Sequence, residues 1–143
     1  MTVHRFESAH RVRFSECDSA GIIFYPQYFI LFNDLLEVWI DTLVPGGFAA
    51  LISQRRCGVP TVHLEAQFTA ISRMGDDVTL SLEVTRVGSR SFALALACTD
   101  QDGKLRMSVK QTLVTMSLET YRAIPIPQDL REALETPAPS PVR

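Results

Sequence analysis

The spacing of apolar and polar residues changes period twice along the chain. From Ala9 to Phe14, His10, Val12 and Phe14 alternate with Arg11 and Arg13, which predicts a short strand. A polar, turn-prone stretch follows from Ser15 to Gly21, then an apolar patch, Ile22-Ile23-Phe24-Tyr25. Pro26 suits the first position of a helix, where its missing N–H costs nothing. From Pro26 to Leu43 the period becomes helical, and Phe29, Ile30, Leu31, Phe32, Leu35, Leu36, Val38, Trp39, Ile40 and Leu43 cover most of the circumference. Asp34, Glu37 and Asp41 fall on one narrow stripe. A helix this apolar is buried on nearly all sides and needs something wrapped around it.

Val44-Pro45-Gly46-Gly47 ends that helix, and Phe48 to Arg56 predicts a short second one before the Gly58-Val59-Pro60 break. Period two then returns. Val62, Leu64, Ala66, Phe68 and Ala70 alternate with polar residues, as do Val78, Leu80, Leu82 and Val84 after a Gly75-Asp76-Asp77 turn. Phe92, Leu94, Leu96 and Cys98 are separated by alanines, and Asp102-Gly103 signals a hairpin into a last strand from Leu105 to Ser117. Four successive strands at hairpin spacing predict a meander-like antiparallel sheet, five-stranded with the first strand. The expected architecture is α+β, a curved sheet wrapped around one long central helix. Gln128 to Glu135 predicts a small closing helix. Residues 1–135 form a single domain on this reading, and the Pro-rich tail 136–143 is expected to be loose.

Composition narrows the class. The 143 residues suit one domain with a real core, and 46% hydrophobic residues exclude general disorder. A formal net charge of -2 gives no footprint for sequence-independent nucleic-acid binding. No apolar run is long enough for a membrane span, and Met1 to Glu7 lacks an apolar signal core, so neither membrane nor export is expected. Cys17, Cys57 and Cys98 are widely spaced and odd in number, which reads as free thiols in a reducing, cytoplasmic setting. His4, His10 and His63 show no ligand spacing, so no metal is expected.

Candidate chemistry concentrates between Asp18 and Tyr28. A carboxylate, a glycine and an incoming helix start lie within a few residues. The first helical turn offers free N–H groups and the positive end of the dipole, which would stabilise a carbonyl oxygen gaining negative charge. A carboxylate beside it can attack that carbon or activate water. Gly21 allows a sharp bend or a close ligand approach. The competing reading is an Asp18 that merely caps its own turn. No G-x-S-x-G elbow and no Gly-rich phosphate motif is present.

The run Arg13-Phe14-Ser15-Glu16-Cys17-Asp18-Ser19-Ala20-Gly21-Ile22-Ile23-Phe24-Tyr25-Pro26-Gln27-Tyr28-Phe29 resembles the signature of the hotdog-fold 4-hydroxybenzoyl-CoA thioesterase family. Weaker likeness extends over Pro60 to Phe68, Gly75 to Val78 and Arg90-Ser91-Phe92. The resemblance implies a sheet around a long helix and an acyl-CoA thioesterase that needs no metal or redox cofactor, with coenzyme A as part of the substrate. It places the catalytic carboxylate on Asp18 and the carbonyl-polarising backbone N–H on Tyr25. It further implies acyl contacts from Gly21, Phe24, Tyr28, Asn33 and His63, and coenzyme A contacts from Arg86, Arg90 and Ser91. The acyl group expected is small and aromatic, of benzoyl or hydroxybenzoyl type, in a homodimer or homotetramer.

Three departures from that pattern matter. Ser19 stands where the family often has Pro, and Glu16 replaces an Asp. Asn33 stands where the hydroxybenzoyl enzyme carries an acid, and an amide donates as well as accepts. Glu37 is the rival carboxylate, although the His-Gly pair that accompanies it in related enzymes is missing. Alternative functions are a thioesterase for short aliphatic acyl-CoA or acyl carrier protein, a non-catalytic acyl-CoA binding module, and a dehydratase or hydratase.

Overall fold

The structure, a computed structural model, describes residues 4–137; most of the expected loose tail, 138–143, lies outside them. Strand β1 spans Arg5–Arg11 and helix α1 spans Tyr25–Asp41, followed by α2 at Gly47–Ser53 and β2 at Cys57–Gly58. Strands β3 (Thr61–Phe68), β4 (Asp77–Val87), β5 (Ser91–Asp100) and β6 (Leu105–Val114) come next. Strand β7 (Met116–Ser117) and helix α3 (Gln128–Glu135) close the chain.

Helix α1 is held to the sheet by one face. Tyr28, Leu31, Phe32, Leu35, Leu36, Trp39 and Ile40 are buried at three- and four-residue spacing. Opposite them, Phe92, Leu94, Leu96 and Cys98 of β5 and Met107, Val109 and Leu113 of β6 supply the sheet side of the core. Trp39 meets Phe92 at a ring-centroid distance of 6.4 Å. The other face of α1 is less covered than the pattern implied. Ile30 and Val38 are each 52% exposed, on the side that carries Asn33, Asp34 and Glu37. Asp41 leaves that stripe to serve α2: its Oδ1 accepts the Phe48 N–H at 2.8 Å. A Cβ on Gly47 would lie 2.5 Å from the same oxygen, and its φ of +72° favours glycine there.

The expected meander is corrected by the strand order, β1-β4-β5-β6-β3, antiparallel throughout. Strands β3 and β4 are not neighbours: β3 pairs with β6 at one edge and β1 pairs with β4 at the other. Residues 69–76 are a strap across the ends of β6 and β5 rather than a hairpin. Its Gly75-Asp76 corner bonds back to the chain after β1, with Gly75 N–H to Val12 O at 2.8 Å and Val12 N–H to Asp76 O at 2.9 Å. Period-two alternation reports which residues share a face and is silent on which strand lies alongside.

Smaller boundaries also moved. The first strand begins and ends earlier than its alternation suggested, because Phe14 to Glu16 tighten into a single 3-10 turn. The last strand breaks at Thr115, whose hydroxyl donates to the Ile124 carbonyl at 2.7 Å, and its end pairs with Cys57-Gly58. Thr136 is tied down rather than loose, its carbonyl accepting from His4 Nδ1 at 2.8 Å. His4 Nε2 accepts the Trp39 indole N–H at 2.7 Å, so one neutral imidazole links the N-terminal segment, the core and the C-terminal helix.

Candidate active site

Asp18 sits on a seven-residue loop that returns to the start of α1. A miniature antiparallel ladder closes the base of that loop. Asp18 N–H donates to Ile22 O at 3.0 Å, Phe24 N–H donates to Glu16 O at 2.9 Å, and Cys17 bridges Ile23 between them. Gly21 turns the tip at φ +77°, and among the described residues no atom beyond its chain neighbours lies within 4 Å of where its Cβ would be. Only glycine adopts that angle without strain, and the space beside it is open.

The Asp18 carboxylate is exposed. Its Oδ1 accepts the Ala20 N–H at 2.8 Å, which realises the turn-capping role and orients the group. Among the described residues Oδ2 has no hydrogen-bond partner. At the helix start, the Phe24 N–H is taken by Glu16 O, Pro26 has none, and Gln27 N–H turns back to Phe24 O at 2.8 Å. Among the described residues Tyr25 therefore carries the open N–H of the segment 24–27, at the positive end of a 17-residue helix. An exposed carboxylate and an open helix-start N–H thus belong to one hydrogen-bonded unit.

Aromatic side chains wall this corner. Phe24 and Tyr25 pack edge to face at 5.6 Å, and Tyr25 meets Phe68 at 6.1 Å. Both Phe24 and Tyr25 stay largely exposed. A cavity of about 350 Å³ opens farther along α1, lined by Phe29, Ile30, Asn33, Thr61, Leu64 and Gln111 among others. Gln111 donates to the Thr61 hydroxyl at 2.8 Å, so two amides, Asn33 and Gln111, border this apolar space.

Other expected site residues are placed elsewhere. Tyr28 is 4% exposed and faces the core, where it stacks near Phe32 and donates to Ser72 Oγ at 3.0 Å. Burial pushes its phenol up from the usual range, partly offset by that hydrogen bond. His63 shares a strand face with Glu65 and Gln67, on the side of the sheet away from α1, and its ring lies 3.5 Å from Glu65. Arg86, Arg90 and Ser91 lie at the far end of β4 and the start of β5. With Asp77 at the near end, the 11-residue β4 separates them from the Asp18 corner by about 30 Å. Within one protomer these three do not join the carboxylate. Glu37 is exposed on the outer stripe of α1.

The supports of the loop carry residues that sequence reasoning left out. Glu16 is 9% exposed, and its Oε1 accepts both the Arg13 N–H at 2.9 Å and His10 Nε2 at 2.8 Å. The Glu16-x-Asp18 spacing was a usable signal; nothing in the spacing pointed to His10 on β1 as the partner of Glu16. Beneath the loop, Ser72 O accepts the Ile23 N–H at 2.9 Å, and Met74 N–H reaches Gly21 O at 3.0 Å. The Cys98 thiol, pushed up to about 11 chiefly by burial, stays protonated beside Ser72. Cys17, raised by desolvation and by its acidic neighbours Glu16 and Asp18, is likewise no thiolate nucleophile.

A family model described as the thioesterase-like superfamily matches residues 12–134. The chain belongs to that superfamily, has the hotdog fold and is a thioester hydrolase. It is 29% identical over 137 residues to a 1,4-dihydroxy-2-naphthoyl-CoA hydrolase of Synechococcus sp. (strain CC9311), covering 89% of this chain and 88% of that one. Among solved structures, gentisyl-coenzyme A thioesterase BH1999 is 25% identical with a TM-score of 0.77, over 88% of this chain and 99% of that one. A 4-hydroxybenzoyl CoA thioesterase mutant complexed with 4-hydroxybenzoyl CoA has the same fold, with a TM-score of 0.82 at 22% identity over 92% of this chain and 99% of that one. Among the described residues no helix is long and apolar enough to cross a membrane.

Proposed function

We propose that the protein hydrolyses the thioester of a small aromatic acyl-CoA, using Asp18 as the reacting carboxylate and the Tyr25 N–H as the carbonyl-polarising donor. The observation that carries this reading is the ladder joining Asp18 to the helix start, which leaves Oδ2 and one backbone donor open on the same corner. The substrate carbonyl accepts from the Tyr25 N–H. Asp18 then either attacks the carbonyl carbon, expelling CoA thiolate before water opens the anhydride, or takes a proton from the water that attacks. Both routes consume one water and yield the free acid and CoA. Positioned acid–base groups of this kind contribute about 10²- to 10⁴-fold.

The aromatic acyl preference is supported by Phe24, Tyr25 and Phe68 around the corner and by relatives that act on hydroxylated aromatic thioesters. Asn33 is the acyl-side polar contact, uncharged and able to donate. The coenzyme A contacts come from a second protomer on this reading. Strand β3 is an open edge, and Val62, Leu64 and Phe68 on it are 59%, 41% and 52% exposed. Antiparallel pairing of β3 with its own copy sets the Phe68 end beside the partner's Thr61 end. The partner's β5 start, with its Arg90 and Ser91, then lies three strand spacings away, about 14 Å at ~4.8 Å each. A pantetheine arm spans that gap, and guanidinium groups suit its phosphates. A homodimer or homotetramer in a reducing, cytoplasmic setting fits this arrangement and the free thiols.

The deciding experiment is thiol release from benzoyl-, hydroxybenzoyl-, dihydroxynaphthoyl- and short aliphatic-CoA by the parent, Asp18→Asn and Glu37→Gln. Aromatic hydrolysis that falls by about 10²- to 10⁴-fold in Asp18→Asn and is unchanged in Glu37→Gln supports the reading. Faster turnover of aliphatic thioesters would replace the acyl class. Equal rates for the parent and Asp18→Asn would remove Asp18 from the chemistry.

A further inference from the structure

The strap 69–76 is fastened along its length by one side chain and its backbone. Arg106, on β6, accepts the N–H groups of Thr69 and Ala70 on its carbonyl at 2.9 and 3.0 Å. Its guanidinium donates to Ile71 O at 2.8 Å, to the Asp76 carboxylate at 3.0 Å, and at 3.4 Å to Ser72 Oγ and to the Asp100 carboxylate. Only 18% of that side chain is exposed. Ser72, 1% exposed, is where the strap meets both halves of the site. Its carbonyl holds the Ile23 N–H of the Asp18 loop at 2.9 Å, and its hydroxyl accepts from Tyr28 on the first turns of α1 at 3.0 Å.

The loop and the helix that supplies the Tyr25 N–H are therefore referenced to the same buried residue, which Arg106 in turn fixes to the sheet. We infer that Ser72, Tyr28 and Arg106 are positioning residues that set the Asp18 loop against the start of α1. This rests on the assignment of Asp18 and Tyr25 made above. Tyr28 and Ser72 are buried and Arg106 is nearly so, and each acts through the segment it holds. A neutral hydroxyl can move with its strap, whereas the guanidinium fork bridges several fixed acceptors and cannot be mimicked by the point charge of a lysine. A displacement of about 1 Å in such a site costs roughly a hundredfold in rate.

The test compares Tyr28→Phe, Ser72→Ala and Ser72→Thr with the parent in two readouts: hydrolysis of benzoyl-CoA and amide hydrogen exchange. Tyr28→Phe keeps the ring and its packing, so it folds even where Ser72→Ala does not. The expected result is a roughly ten- to hundredfold loss of kcat in Tyr28→Phe and Ser72→Ala at unchanged KM. Ser72→Thr, which restores the hydroxyl, recovers kcat. In the first two variants exchange speeds up at Ile23 and Met74 and not at Leu82 or Leu94. Unchanged exchange at Ile23 and Met74 overturns the inference, as does faster exchange spread equally over β4 and β5. If the parent hydrolyses no thioester, the assignment of Asp18 and Tyr25 fails, and the exchange pattern still decides whether Ser72 and Tyr28 hold the loop.

Discussion

The two ends of helix α1 are held in place by different physics. At the Trp39 end, position is set by volume: Trp39, Ile40, Phe92 and Leu113 are fully buried and interlock. At the Tyr25 end, position is set by hydrogen bonds, because Phe24 and Tyr25 stay exposed and the loop beside them has little side chain to bury. Close packing is tolerant of where a polar atom points but intolerant of lost volume. A hydrogen-bonded loop is the reverse. The protein puts its stability in one end and its open donor and carboxylate in the other.

Removing volume from the packed end gives the largest expected loss. Phe92→Ala should cost about 3–5 kcal/mol in urea unfolding, since it empties a site against Trp39. A loss well under 1 kcal/mol would mean that this end is not packing-limited. His4→Ala tests the polar exception within the packed end. It strands the Trp39 indole N–H and unties Thr136, and a buried donor left unpaired costs about 1–3 kcal/mol, again read from unfolding midpoints. His4→Gln, which keeps an acceptor, should recover part of that loss.

At the open end, Gly21→Ala should cost only about 1 kcal/mol of stability, because the added methyl meets nothing and the penalty is the φ of +77° alone. Its effect on kcat should exceed its effect on stability, since Asp18 and Gly21 share one turn, with Gly21 N–H bonded to Asp18 O at 3.0 Å. Proportionate losses in both would dissolve the contrast between the two ends.

The smallest expected effect is on acid stability. The Asp76 carboxyl is held below the ordinary value of 3.8, first by the Arg73 N–H and then by Arg106. Asp100 is held low first by the Lys104 N–H, with Arg106 again contributing. A carboxyl whose folded pKa is depressed stabilises the fold above its unfolded pKa, and that stability is lost as pH falls through the folded value. Unfolding midpoints should therefore drop below about pH 4, and less steeply in Arg106→Leu than in the parent. Parallel pH profiles would show that Arg106 is not an electrostatic anchor of the strap.

The sequence by itself determined what depends on neighbours a few residues apart. The apolar face of α1, the alternation of β4 and β5, the Asp18-to-Gly21 turn and the open helix start behind Pro26 are all local. Their signals are dihedral preference, period and a missing N–H. The tertiary structure alone decided what depends on residues far apart in the chain. It placed β3 beside β6, turned a supposed hairpin into a strap, and buried Tyr28 against Ser72 and Phe68. It also put His63 on the outer face and Arg90 at the other end of the sheet from Asp18. Alternation says that a strand has two faces but not which strand covers its edge, and a guanidinium at position 106 carries no mark that its partners are at 71, 72 and 76. Those pairings follow from packing the whole chain around α1, where each buried polar group must find a partner wherever the fold brings one.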